Sequence, residues 1–262
     1  MTKCKSFTTS TFLNFGNKGE ILEDTQSINS DYADDDLSFY FGLFKDYERA
    51  LGAMSRLRKH FPDARIVARS DGDHDPRYHE LTEKFDIDYR EEERLYPIEN
   101  GGAMVARMLD LFLEHPTRYL LKIDTDTAAH RRFRFLPCQN GIFGTLQTAK
   151  QGCQSVQGGF TGLTRETASL MLESGILLDE RLKDPGAYKT ESSYFHRMAN
   201  RVTRTGLCGF DWIVGWAATE LNLPLIGFEE VHCKWYAKNN VPNLDLEFAF
   251  THPVYFDGVQ TR

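Results

Sequence analysis

The chain has 262 residues, 41% of them hydrophobic, and a formal net charge of −7. That length suits one large α/β domain or two small ones, with enough apolar residues for a substantial core. The acidic balance argues against non-specific binding to nucleic acid or anionic membrane, and no stretch reaches the roughly 20 apolar residues that span a bilayer.

Residues 1–36 are polar, rich in Ser, Thr and Asn, and close on Asp34-Asp35-Asp36. They read as a partly ordered N-terminal arm with a short hairpin. The opening Met1-Thr2-Lys3-Cys4-Lys5 is followed by scattered apolar residues only, which does not resemble a secretory leader. Five cysteines (Cys4, Cys138, Cys153, Cys208 and Cys233) are odd in number, widely spaced and without a CxxC pair. Reduced, buried thiols in a cytoplasmic protein are the expectation.

Regular structure is predicted to begin with a strand at 37–42. Apolar residues at helical spacing (Ala50, Leu51, Met54, Leu57) then predict a helix over 46–60, which Pro62 stops. A second strand over 64–68 runs out at Ser70-Asp71-Gly72. Helices follow at 76–85 and 100–115, the latter with Met104, Met108, Leu111 and Phe112 on one face. The next strand, Tyr119 to Ile123, ends in Asp124-Thr125-Asp126. Beyond it come short strands at 141–145 and 155–160, a helix at 164–174, a polar stretch at 179–205, a helix from about Asp211 to Leu221, and a strand at 224–228. Strand alternating with helix is the rhythm of a mostly parallel sheet, whose ligands sit at the carboxyl ends of its strands.

Two anions at the end of an apolar strand are costly unless a positive charge compensates them. A divalent cation such as Mn²⁺ or Mg²⁺ is the simplest compensation, and these ions often complete their shells with phosphate. Asp71 and the Asp124/Asp126 pair, at two predicted strand ends, are expected to share one mouth.

Asp124-Thr125-Asp126, after this order of strands and helices, resembles the DXD motif of the GT-A glycosyltransferases. Three further features are similar to that family: Asp71-Gly72 after the second strand, Gly158-Gly159-Phe160-Thr161-Gly162 ahead of a helix, and Glu230-Val231-His232 near the end of the core. The resemblance covers roughly residues 37–236. It implies a single α/β domain of GT-A type, with a Rossmann-like nucleotide-sugar-binding half at 37–127 and an acceptor-binding half at 128–262. It further implies metal ligation by Asp124, Asp126 and His232, with Asp126 the stronger ligand and Asp124 also near the ribose. Asp71, Gly158 and Gly159 would contact the donor, and Lys234 its diphosphate. Asp211, in Gly209-Phe210-Asp211-Trp212, resembles the acid of the family's xED motif, with Phe where that motif has Glu. The implied activity is transfer of a sugar from a nucleoside diphosphate, a UDP-sugar favoured, to a hydroxyl acceptor, with Asp211 as base in an inverting reaction.

Each of these residues has a plainer role open to it. Asp124 and Asp126 suit a turn, as does Asp71-Gly72. Asp211 suits a helix N-cap, His232 a hydrogen-bonded core position, and Gly158-Gly159 a close backbone contact. Arg107 could reach the nucleotide or lie on a solvated helix face. Trp212, Trp216 and Trp235 could be core or a sugar-stacking platform, with core preferred for Trp216. Basic residues in the polar stretch (Arg181, Lys183, Lys189, Arg197, Arg201, Arg204) could select an anionic acceptor or simply be solvated.

Two other functions compete. Asp124-Thr125-Asp126-Thr127 also fits the DxDxT signature of haloacid-dehalogenase-type phosphatases, although no GDxxxD-like motif follows it. A non-catalytic sugar-nucleotide-binding protein is the other. A nucleotidyltransferase would carry a Gly-rich GxGTRL-type loop, which Gly42-Leu43-Phe44-Lys45 is not. There is no P-loop GxxxxGK[ST] and no GxSxG elbow.

Overall fold

The structure, a computed structural model, describes residues 4–6, 28–96, 100–148, 153–205, 209–233 and 247–252. Its centre is a seven-stranded sheet built from β3 (Leu37–Leu43), β4 (Arg65–Ser70), β5 (Asp88–Arg90), β6 (Tyr119–Ile123), β9 (Ile142–Thr148), β10 (Gln154–Thr164) and β11 (Leu225–Gly227). Their spatial order is β11-β9-β10-β6-β3-β4-β5. All neighbours are parallel except that β10 runs antiparallel to both β6 and β9. The expected α/β class with a mostly parallel sheet is therefore present.

Alternation along the strands sorts the core onto the two faces of this sheet. Phe39 and Phe41 of β3, with Leu121 and Ile123 of β6, pack under α1 (Tyr47–His60) through Ala50, Ala53, Met54 and Leu57. Tyr40 and Leu120 face the other way, against α3 (Gly101–Leu113) and α6 (Phe210–Glu220). The same parity puts Lys122 on the α6 side. Trp212 and Trp216 are both core residues of that layer. The two remaining helices of the central region, α2 (Tyr78–Phe85) and α4 (Arg165–Glu173), fall where periodicity predicts them.

The chain runs outward from β3 to β4 and β5, then returns to place β6 on the other side of β3. The strand order reverses between β3 and β6, the position at which open α/β sheets leave a crevice at the carboxyl ends of their strands. Asp124 lies at that edge.

Several elements were not readable in advance. β5 is only three residues long. The polar stretch 179–205 holds a 3₁₀ turn at Glu180–Leu182 and a full helix, α5 (Ser193–Thr205). In the arm, where a short hairpin was expected, β1 (Cys4–Ser6) pairs antiparallel with β2 (Ile28–Ser30); the further pairing of β2 with β8 (Leu136–Pro137) was not foreseen. A third small sheet joins β12 (Val231–Cys233), β13 (Phe250–His252) and β7 (Ala128–Ala129). Cys153 and Cys233 are buried free thiols. Among the described residues, no helix is long and apolar enough to cross a membrane.

The small sheet is anchored by Glu230, whose side chain is wholly buried. Arg131 donates to its carboxylate at 2.6 Å, as do the backbone N–H (2.9 Å) and Nε (2.6 Å) of Arg134. Its own carbonyl accepts from the N–H of Ala249 and Phe250, the start of β13. Burial alone would raise the Glu230 carboxyl, but the two arginines and the Arg134 amide outweigh it and hold it below the usual range. A depressed carboxyl stabilises the fold above its unfolded titration range and loses that contribution as pH falls through the folded value. Glu230→Gln should therefore cost about 2 kcal/mol at neutral pH, the worth of charged hydrogen bonds. Urea unfolding at pH 7 and in acid should show the gap from wild type closing as the pH falls; a pH-independent gap would mean that charge is not what anchors β13.

Candidate functional site

Asp124 and Asp126 follow β6 directly, and His252 reaches them from β13. One carboxylate oxygen of each aspartate and an imidazole nitrogen all lie within 4.8 Å of one another. His252 Nε2 is 3.0 Å from Asp126 Oδ1 and 3.6 Å from Asp124 Oδ2. The imidazole is buried, whereas the carboxylates are partly open. Burial works to lower the histidine, but the Asp126 hydrogen bond, the neighbouring Cys233 and the two carboxylate charges overcome it and hold His252 up at about 10. Asp126 is correspondingly low: burial raises it, and His252 together with the Arg49 charge more than reverses that. The ring is thus paired with both carboxylates.

Local pairing explains why His252 arrives here. β7 begins two residues after Asp126 and pairs antiparallel with β13, setting Thr251 opposite Ala128. His130 adds a 2.7 Å contact to Thr251 Oγ1, and its backbone N–H donates to the Ala249 carbonyl. His232, the histidine expected from the sequence, is not part of this group. It lies on β12 opposite Thr251, one position out of step with His252, and stacks on Phe248 at a centroid distance of 4.8 Å. Lys234, the expected diphosphate contact, lies outside the described residues.

Behind the carboxylates runs the bulged middle of β10, whose pairing with β9 shifts between Val156 and Thr161. Its two glycines are both in tight contact. A Cβ on Gly158 would fall 2.1 Å from Asp211 Oδ1, and one on Gly159 would fall 2.2 Å from the His252 ring. Their main chain also takes part. The Gly159 carbonyl accepts from the Asp124 N–H (3.2 Å) and from Thr127 Oγ1 (2.7 Å). The Gly158 N–H donates to Asp211, and the Gly158 carbonyl accepts from Lys122 Nζ at 2.6 Å.

Asp211 is in the first turn of α6, but it is not the cap: Gly209 holds that position. Its side chain turns to β9 and β10, where Gln147 Nε2 of β9 donates to Oδ2 at 3.1 Å and is itself positioned by Gln157 of β10. The buried Oε1 of Gln157 has no partner among the described residues. Ser155 Oγ donates to the Asp211 carbonyl, fixing the helix start on the strand. Burial pushes the Asp211 carboxyl above its ordinary range, opposed by the Lys122 charge, the Gly158 amide and Gln147. Asp211 therefore shares a wall with the Asp124/Asp126/His252 group, as a raised carboxyl beside a depressed one. Such divergence is characteristic of acid–base sites.

Asp71 closes β4 at the same edge, but its carboxylate accepts the Leu95 N–H at 2.9 Å and orders the segment after β5. Arg107 is tied to Glu92 across the α3 surface, so it is neither a solvated residue nor a free arm toward the mouth. In the polar stretch, Arg181 pairs with Asp179 and Lys183 with Glu180, and Arg197 lies over Trp212.

Asp46 belongs to the site although sequence reasoning passed over it. It follows β3 across the crevice, and Thr125 Oγ1 donates to its Oδ2 at 2.5 Å. Asp46 is itself held by the Phe44 amide and the Tyr78 hydroxyl, each at 3.1 Å. Desolvation raises its carboxyl against those hydrogen bonds. The residue between the two aspartates is thus clamped to the opposite strand end.

Carboxylates and an imidazole suit a divalent first-row ion, Mn²⁺ better than Mg²⁺ because Mg²⁺ favours oxygen alone. To ligate such an ion the His252 ring must give up the proton it shares with Asp126. Neither a protein-family model nor a curated protein sequence matches the chain.

Gly159→Ala tests whether the ring is seated as described. Its Cβ cannot be accommodated without moving His252 or β10, so a loss of about 2 kcal/mol is expected, as for other overpacked sites. Denaturant titration measures it; a neutral Gly159→Ala would contradict the packing.

Proposed function

We propose that the protein is a metal-dependent glycosyltransferase of GT-A type, moving a sugar from a nucleoside diphosphate, a UDP-sugar favoured, to a hydroxyl acceptor. The observation that carries this reading is the convergence of Asp124, Asp126 and His252 at the switch point of the sheet, with Asp211 alongside across Gly158. Asp126, His252 and Asp124 would hold Mn²⁺ or Mg²⁺. When bound, the ion supplies Lewis-acid stabilisation of the negative charge that grows on a departing diphosphate.

The remaining chemistry falls to side chains. Breaking the sugar–phosphate bond leaves positive character at the sugar carbon, which the acceptor hydroxyl attacks. That hydroxyl must lose its proton as the new bond forms, and Asp211 Oδ takes it as general base. A carboxyl raised by burial is better matched to this task than an exposed one. Gln147 and the Gly158 amide fix its direction. Asp46 keeps the Asp124-Thr125-Asp126 turn in place through Thr125, so that the ligand atoms are preorganised.

Thermal-shift screening of UDP-, GDP- and other sugar nucleotides, with and without Mn²⁺, tests the reading. Stabilisation that needs both nucleotide and metal is expected, and its absence in every combination would reject it. Two variants separate the roles. Asp126→Ala should abolish the metal-dependent shift while leaving circular dichroism unchanged. Asp211→Asn should keep the shift and lose transfer, measured as nucleoside-diphosphate release, by at least about a hundredfold. An active Asp211→Asn enzyme would reduce Asp211 to a structural residue.

A further inference from the structure

Lys122 lies on β6 two residues before Asp124, and strand alternation puts both side chains on one face. Its ammonium contacts Asp124 Oδ1. It also donates to the Gly158 carbonyl at 2.6 Å and sits 4.9 Å from the centroid of the Phe210 ring. Only 14% of the side chain is exposed. A surface lysine swings its charge into water, but this one is fixed against the strand by three neighbours. The other oxygen of the same carboxylate, Asp124 Oδ2, is the one that faces His252.

Asp124 therefore has a partner on each oxygen, the Lys122 ammonium on one and the His252 ring on the other. Asp126, by contrast, pairs with His252 through Oδ1. We propose that Lys122 is a built-in cation that competes with the divalent ion for Asp124, setting metal affinity below what two aspartates and a histidine would otherwise give. The inference rests on the metal reading above. It follows from charge alone. A fixed ammonium on Oδ1 withdraws that oxygen from a metal shell and repels a doubly charged ion seated on Oδ2. Asp126 and His252 become the principal ligands, and Asp124 a shared one. Tight loading then depends on further negative charge brought by the ligand, which a diphosphate supplies.

Mn²⁺ alone is the probe, measured by isothermal calorimetry and by the free-ion signal in electron paramagnetic resonance. Lys122→Met removes the charge; Lys122→Gln removes it while keeping a donor for the Gly158 carbonyl, which guards against a variant that fails to fold. Lys122→Arg keeps the charge. Both neutral variants should bind Mn²⁺ about tenfold more tightly than wild type, and Lys122→Arg within about twofold of it. Unchanged or weaker Mn²⁺ binding in folded Lys122→Met and Lys122→Gln would overturn the inference while leaving the metal site intact. Absence of Mn²⁺ binding in the wild type, or its persistence in Asp126→Ala, would remove the metal site and the inference together.

Discussion

The main chain of Gly158 and Gly159 is the surface on which the site is assembled. Asp211 lies on the α-carbon of one glycine and the His252 ring on that of the other, each closer than any side chain would permit. The same two peptides receive the Asp124 amide, the Thr127 hydroxyl and the Lys122 ammonium, and donate to Asp211. Antiparallel β10 thus holds a metal-type cluster and an acid–base candidate in a fixed relation. A bulge in that strand is what frees its peptides from β9 and aims them at the site.

The sheet around β10 supplies the rest. The reversal of strand order between β3 and β6 opens the crevice, and the Thr125–Asp46 hydrogen bond spans it. Because β6 is buried on both faces, its register is strongly specified, and the aspartates inherit that precision. β13 has less to hold it: short pairings with β7 and β12, and the amides that Glu230 accepts. The histidine position accordingly depends on a buried ion-pair cluster at some distance from it, where Glu230 ties two arginines to the turn before β12.

Much of this was legible in the sequence, for identifiable reasons. β3, α1, β4, α3 and β6 carry strong apolar periodicity, because their two-layer packing demands it. The carboxylates stand out because a buried strand seldom ends in two anions. β5 and β13 are too short to show a period, and α5 was masked by the polar face it presents. His232 was the expectation because it stands near the end of the core, where the family resembled supplies a histidine ligand. The partner that actually reaches Asp126 is twenty residues further on, brought back by a parallel pairing that no local pattern encodes. The alternation of Phe248, Ala249 and Phe250 ahead of His252 was the only available signal. Asp46 could not be found at all from spacing, because its role is a contact across 79 positions. The glycines were assigned to the donor, with close backbone contact as their plainer role; which side chains that contact admits, Asp211 and the His252 ring, no local pattern encodes.

The identity of the histidine is where sequence and structure part, so it is the sharpest point to measure. Electron spin echo envelope modulation of Mn²⁺ bound to the protein detects a directly coordinated imidazole nitrogen. The wild type and His232→Ala should both show that modulation, and His252→Ala should lack it. A wild type without nitrogen modulation, or a signal lost in His232→Ala and kept in His252→Ala, would contradict the site described here.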